Sequence, residues 1–197
     1  TKHQRIIFNG NGYSDEWVAE AERRGLPNIK SMIEAVDTLT TEKSVNLFEK
    51  FGIFTKTELE SRAEVLYETY AKTINIEALT MIDMASKQYV PAIVKYTKSL
   101  ADTVVAVKDA GADAQVQTEI LKAVNGKLGE VKSALAKLEE AEAKAAAMDN
   151  VKDQAFFYKD VVKTAMDELR APVDKLEMIV DKDLWPMPSY GDLIFEV

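Results

Sequence analysis

The longest uninterrupted pattern in the chain covers residues 55–110, where Ile74, Ala78, Met81, Ala85, Tyr89, Ile93, Tyr96, Leu100, Val104 and Val107 return every three or four positions. That spacing predicts a helix with one continuous apolar stripe. Thr55 and Glu58 make a capping box at its start, Gly111 closes it, and Pro91 is the only proline or glycine within it. A single helix of this span is roughly 80 Å long at about 1.5 Å per residue, so it needs neighbours. Within 72–85 (KTINIEALTMIDMA), Ile74, Ile76, Leu79, Met81, Ile82 and Met84 point nearly all round the axis. This section is expected to be covered on several sides.

Two more seams follow. Ile120, Val124, Leu128, Val131, Leu135 and Leu138 predict a helix from an Asp113 cap to about residue 148, in which Gly126 and Gly129 mark a bend, a close helix crossing or a frayed section. Residues 139–147 are almost pure Ala, Glu and Lys and read as a solvent-exposed tip. From Val151 a third seam runs through Ala155, Tyr158, Val162, Ala165, Leu169, Val173, Leu176 and Val180, interrupted by Pro172. Long helices joined by short connections must run antiparallel. Pro91 and Pro172 each remove a backbone donor and are expected to kink their helices or divide them.

Ahead of these helices, Ser14, Ser31 with Glu34, and Thr41 open three short ones, stopped in turn by Gly25 with Pro27, near Leu39, and by Gly52. They carry Trp17, Val18, Leu47, Phe48, Phe51 and Phe54, apolar surface suited to lie against the long helix. Residues 5–8 read as a short strand followed by a double Asn-Gly turn. Its partner must be the apolar run 193–197 or protein outside this chain, because a strand cannot satisfy its own backbone. Pro186 and Pro188 predict an extended path that runs back over the bundle. The fold expected is all-α: a long antiparallel three-helix hairpin or bundle, with short N-terminal helices packed on it and short extended segments at both termini. Its parts are an exit segment 1–13, short helices 14–54, a long-helix bundle 55–183 and an extended tail 184–197, with 14–197 forming one domain.

Residue chemistry narrows function mainly by exclusion. A net charge of −8, with 25 basic residues interleaved among 33 acidic ones, argues against a nucleic-acid surface. There is no cysteine, hence no disulfide, thiolate metal site or cysteine nucleophile, and the expected location is cytoplasmic. No apolar run approaches the about 18 residues of a membrane span. His3, the only histidine, stands at the least anchored end and reads as a solvated residue. No phosphate-cradling glycine loop occurs, and Glu64 and Glu68, one turn apart, read as a solvated pair. No catalytic, cofactor-binding or metal-ligating residue is assigned. Asn75 and Glu77 are the candidates for a buried polar or interface role, since their surroundings are apolar. Glu77 should then meet Thr73, Thr80 or a cation, because a charge buried alone is costly. The cluster Phe156, Phe157 and Tyr158 covers more of its helix than one seam needs and is read as core plus a contact with the short helices.

Three strings carry a family resemblance: TINIEA followed by TMIDMA in 73–85, the opening RIIFNGNGYSDEW in 5–17, and the closing DLWPMPSYGDLIF that ends at Phe195. Together they resemble the C-terminal helical region of type III glutamine synthetases. The resemblance implies a parent enzyme that joins ammonia to glutamate with ATP and divalent metal ions, magnesium foremost, with its active sites upstream and a large ringed oligomer as its assembled form. The chain would then be a non-catalytic module contributing packing, assembly contacts or regulation, its partners the upstream catalytic domain and neighbouring subunits. Thr1 in place of an initiator Met fits a segment taken from a longer chain. The alternative is an independent helical-bundle module that docks a partner protein.

Overall fold

The computed structural model describes residues 3–195. The regular structure among those residues is all helical, with no strand among them. The chain divides into two compact units, Thr1–Tyr67 and Glu68–Val197, so the cut falls inside a long helix.

The first unit is made by caps. Helices α1 (Asp15–Arg23), α2 (Met32–Asp37) and α3 (Glu42–Lys50) begin at Ser14, Ser31 and Thr41, whose hydroxyls accept from the backbone N–H of Trp17, Glu34 and Ser44. Each satisfies a donor that the first helical turn leaves free. Ala21, Ile33, Val36 and Val45 are buried, as are Leu59, Ala63 and Tyr67 from the start of α4 (Lys56–Met84). The predicted strand at 5–8 is corrected: residues Gln4–Ile6 form a 3-10 turn. With no second strand to pair with, its carbonyls are met by a side chain, as the Arg24 guanidinium donates to the Arg5 oxygen at 3.1 Å and the Ile7 oxygen at 2.7 Å. Phe8 stacks on Trp17 at 4.4 Å between ring centroids.

The Thr55–Glu58 capping box forms as read. The Thr55 N–H donates to Glu58 Oε2 at 2.8 Å and the Glu58 N–H to Thr55 Oγ1 at 3.3 Å. α4 continues through a π-helical turn, Ala85–Tyr89, into α5 (Val90–Asp109), so the helical path crosses Pro91 undivided. The seam explains the turn. From Met81 through Ala85 and Tyr89 to Ile93 it steps by four three times running, and each such step overshoots an ideal α-helix by about 40°. One wide turn, closed by the Val90 N–H on the Ala85 oxygen, restores the stripe to the core side. It also comes immediately before the proline, whose missing N–H and ring disturb the bonding of the preceding turn.

α6 (Gln115–Ala146) packs on α5 on one side and on α8 (Lys163–Glu177) on the other, with α7 (Val151–Phe157) and a second π turn, Tyr158–Val162, leading into α8. The third seam is buried at all eight positions read from the sequence, and Val124, Val131, Leu135 and Leu138 are buried in the second. Asp113 Oδ1 accepts from the Gln115 N–H at 3.0 Å. Gly126 and Gly129 mark neither a break nor a close crossing: α6 runs through both, and a Cβ at either would meet no atom within 4 Å. Pro172 is buried within a continuous α8.

Trp185 packs on Tyr89, with 5.0 Å between ring centroids, which brings the chain back over the bundle as expected. The last segment is not extended, however. Tyr190–Phe195 forms a short helix, α9, while residues 196 and 197 of the predicted apolar run lie outside the described residues. A box missed in the sequence accounts for it: the Ser189 N–H donates to Asp192 Oδ2 at 2.7 Å and the Asp192 N–H to Ser189 Oγ at 3.3 Å.

Candidate functional site

Beside the π turn before Pro91 lies a recess of the second unit. A groove of about 340 Å³ runs between the end of α4 and α8, with Met81, Met84, Ala85 and Tyr89 on one wall and Leu169, Arg170, Val173, Asp174 and Glu177 on the other. Its floor is apolar and its outer edge charged. Arg170 Nε donates to Asp174 Oδ2 at 3.1 Å, leaving Glu177 as a further acid on that rim. Burial pushes the Tyr89 phenol up, and the Glu177 and Asp174 carboxylates push it further, against the opposing pull of Arg170. Tyr89 is therefore a neutral donor at ordinary pH, set beside methionines and the Trp185 ring. This is chemistry for holding an apolar side chain with one polar anchor and not for moving protons.

Asn75 Oδ1, the Tyr158 hydroxyl and Trp185 Nε1 are buried side-chain atoms without a hydrogen-bond partner among the described residues. Burial raises the Tyr158 phenol, with Glu142 adding to the effect. Of the two residues singled out in the sequence, Asn75 is thus half-buried with its carbonyl oxygen unpaired. Glu77 is exposed, which corrects the expectation of a buried charge. Nothing in this unit covers that side of α4, since Ile76 and Leu79 beside it are 67% and 47% exposed. Thr73 and Thr80, its expected partners, donate instead to the carbonyls of Thr69 and Ile76, at 2.9 and 2.7 Å. The expectation that 72–85 is covered on several sides is corrected with it: within this unit one side is.

Of the aromatic cluster, Tyr158 enters the core, Phe156 lies under the ammonium groups of Lys152 and Lys159 at 5.9 and 5.8 Å, and Phe157 lines an open groove between α6 and α8. That groove, bordered by Lys137, Glu140, Lys144 and Glu168, alternates in charge and is partly bridged by Lys137 to Glu168 at 3.1 Å. Glu64 and Glu68 are exposed, and Glu68 pairs with Lys72 at 2.6 Å. His3 is exposed. Among the described residues no three His, Cys, Asp or Glu stand together as a metal-holding group, and no helix is long and apolar enough to cross a membrane. The sequence reading missed the Tyr89–Trp185 pair. The three consecutive steps of four in the seam were the signal that something unusual happens to the helix at Tyr89.

Apolar recesses between long helices, bordered by ion pairs, define a helical packing module. Residues 1–108 match the family model described as the glutamine synthetase C-terminal domain. Across 99% of its length the chain is 39% identical to a glutamine synthetase of Butyrivibrio fibrisolvens, of which it covers 28%. It is 33% identical over 96% of its length to a glutamine synthetase of Bacteroides fragilis (strain YCH46), and 35% identical over 98% to the type-3 glutamine synthetase of Dictyostelium discoideum, covering 27% of each. The chain belongs to the glutamine synthetase C-terminal domain family. It spans little more than a quarter of the length of these relatives.

Proposed function

We propose that this chain is the helical module of a type III glutamine synthetase and serves packing, subunit assembly or regulation, while the ligation of ammonia to glutamate occurs in another part of the enzyme. The observation that carries this reading is the coincidence of a match along almost the whole chain to little more than a quarter of each glutamine synthetase with a fold whose groove beside Tyr89 has an apolar floor. ATP and divalent cations, implied for the parent enzyme, do not fit the residues present. In the groove Asp174 is engaged by Arg170 and the facing wall supplies Met81 and Met84, which are poor ligands for a hard cation. No step of the reaction is assigned to this chain. Its partners are the catalytic part of the same enzyme and neighbouring subunits, in the cytoplasm.

The test is calorimetric titration of the chain with ATP and magnesium, run beside a glutamine-forming assay and circular dichroism. A helical spectrum, no heat of binding and no product are expected. Saturable micromolar binding of ATP would overturn the reading and direct attention to Asn75 and the groove.

A further inference from the structure

The face of α4 opposite its core stripe has an order of its own. Thr69, Lys72, Ile76, Leu79 and Asp83 are all exposed and follow one another at alternating steps of three and four, the spacing of a coiled-coil seam. The stripe Ala71, Ile74, Ala78 and Ala85, on the other side of the same helix, is buried, so this second seam plays no part in the fold of its own unit. Its apolar centre is Ile76 and Leu79, and each end carries an ion pair along the helix: Glu68 with Lys72, and Asp83 with Lys87.

The order of these charges is what selects an occupant. Along the helix they read acid, base, apolar centre, acid, base. A second copy laid parallel and in register would set like charge on like. Laid antiparallel, it sets Lys72 of each copy against Asp83 of the other. We propose that this face pairs with the same face of a second copy of the chain, antiparallel, about a two-fold axis lying midway between Glu77 and Ala78. Ile76 of each copy then meets Leu79 of the other, Lys72 meets Asp83, and Glu68 stands level with Lys87. Each of these layers joins an a position to a d position or flanks one that does, as antiparallel helix pairs require, and the Lys72–Asp83 layer fixes the register at some cost in strength. Glu77 lies to one side of the seam, free of its own symmetry mate. The inference rests on α4 with Lys87 of the following π turn, and stands or falls independently of the enzyme reading.

Sedimentation equilibrium on the 197-residue chain tests it, with a reversible monomer–dimer equilibrium expected. Ile76→Lys should abolish the dimer and leave the helical spectrum unchanged, because the side chain is exposed. Lys72→Glu should raise the dissociation constant about tenfold, and Lys72→Glu combined with Asp83→Lys should recover most of that loss. Since the chain has no cysteine of its own, separate Ile76→Cys and Leu79→Cys chains give a map: on oxidation the mixture should link position 76 of one copy to 79 of the other, and neither chain alone should cross-link efficiently. A chain that stays monomeric up to about 1 mM overturns the proposal and leaves the face to another partner. So does a dimer indifferent to Ile76→Lys, or one that links 76 to 76.

Discussion

The two units are stabilised at different points of the chain. In Thr1–Tyr67 every helix of more than one turn starts at a hydroxyl cap, and of the largest fully buried side chains only Ile33 and Leu59 belong there. Phe51, Ile53, Leu47 and Tyr13 are exposed in it. In Glu68–Val197 the long helix α6 begins at Ala114 with no side-chain cap on that residue, yet Ile93, Val124, Val131, Leu135, Leu138, Tyr158, Val162, Leu169 and Leu176 are fully buried. One unit depends on hydrogen bonds between residues three apart, the other on apolar stripes drawn from segments distant in sequence. Short helices are marginal without such local help, whereas long ones gain most from packing.

The strongest way to sharpen this contrast is to empty the seam. Leu169→Ala should cost about 2–5 kcal/mol, read as a lowered urea midpoint, because the side chain is 1% exposed and its truncation leaves a space in the seam. Ile33→Ala in the thinner unit should fall at the low end of that range. Next comes the capping box: Thr55→Ala should cost about 1 kcal/mol, and native-state amide exchange should show faster exchange in the first turn of α4 than along α8. A loss at Thr55 equal to that at Leu169 would break the comparison.

A pair of glycine substitutions should give smaller effects of opposite sign. Gly111 ends α5 at φ +79°, with its N–H on the Lys108 oxygen and the following Ala112 N–H on Val107, a helix stop that a side chain strains. Gly111→Ala should destabilise by about 1 kcal/mol. Gly126→Ala, mid-helix and facing open space, should stabilise by about 0.5–1 kcal/mol. The smallest effect is acid sensitivity. Glu20 is held down to about 2 by hydrogen bonds from Arg23 and Arg24, and Asp192 to about 2 by Lys182 and Ser189. Both folded values lie below those of the unfolded chain, so their contribution is present above about pH 4 and is lost as pH falls toward 2. Because Arg23 and Lys182 reach their partners from the exposed side, added salt should reduce that slope.

The seams were legible because long-range packing of helices follows a period that the sequence displays, and the buried residues of α8 stand where the spacing put them. The caps were legible for a local reason: Ser14, Ser31 and Thr55 each bond a residue three positions away. What was misread depended on a partner. Residues 5–8 have the β-branched and aromatic composition of a strand, but Arg24, 17 to 19 positions on, supplies donors to the Arg5 and Ile7 carbonyls, and no string pattern announces that. At the other end, Ser189 and Asp192 did carry the three-residue spacing of a box, and attention to Pro186 and Pro188 obscured it. Asn75 and Glu77 were chosen for apolar surroundings in sequence, but exposure depends on which elements arrive, and none of this unit reaches Glu77. The exposed apolar residues on the outer face of α4, Ile76 and Leu79, stand in the same letters, where hydrophobicity alone reads as an all-round core.

The π turn Ala85–Tyr89 also bears on how this helix can change length over generations. It holds one residue more than an α-helical turn of the same rise would. Both flanks keep their own phase because the surplus is confined between them. Removing a single residue there would convert the turn to ordinary α-helix and leave the two flanks in phase, whereas a deletion within the regular turns of α4 would rotate everything before it against everything after by about 100°. A one-residue gap at 85–89 should therefore be better tolerated than one in the middle of α4, its cost being that Pro91 would meet a fully bonded turn.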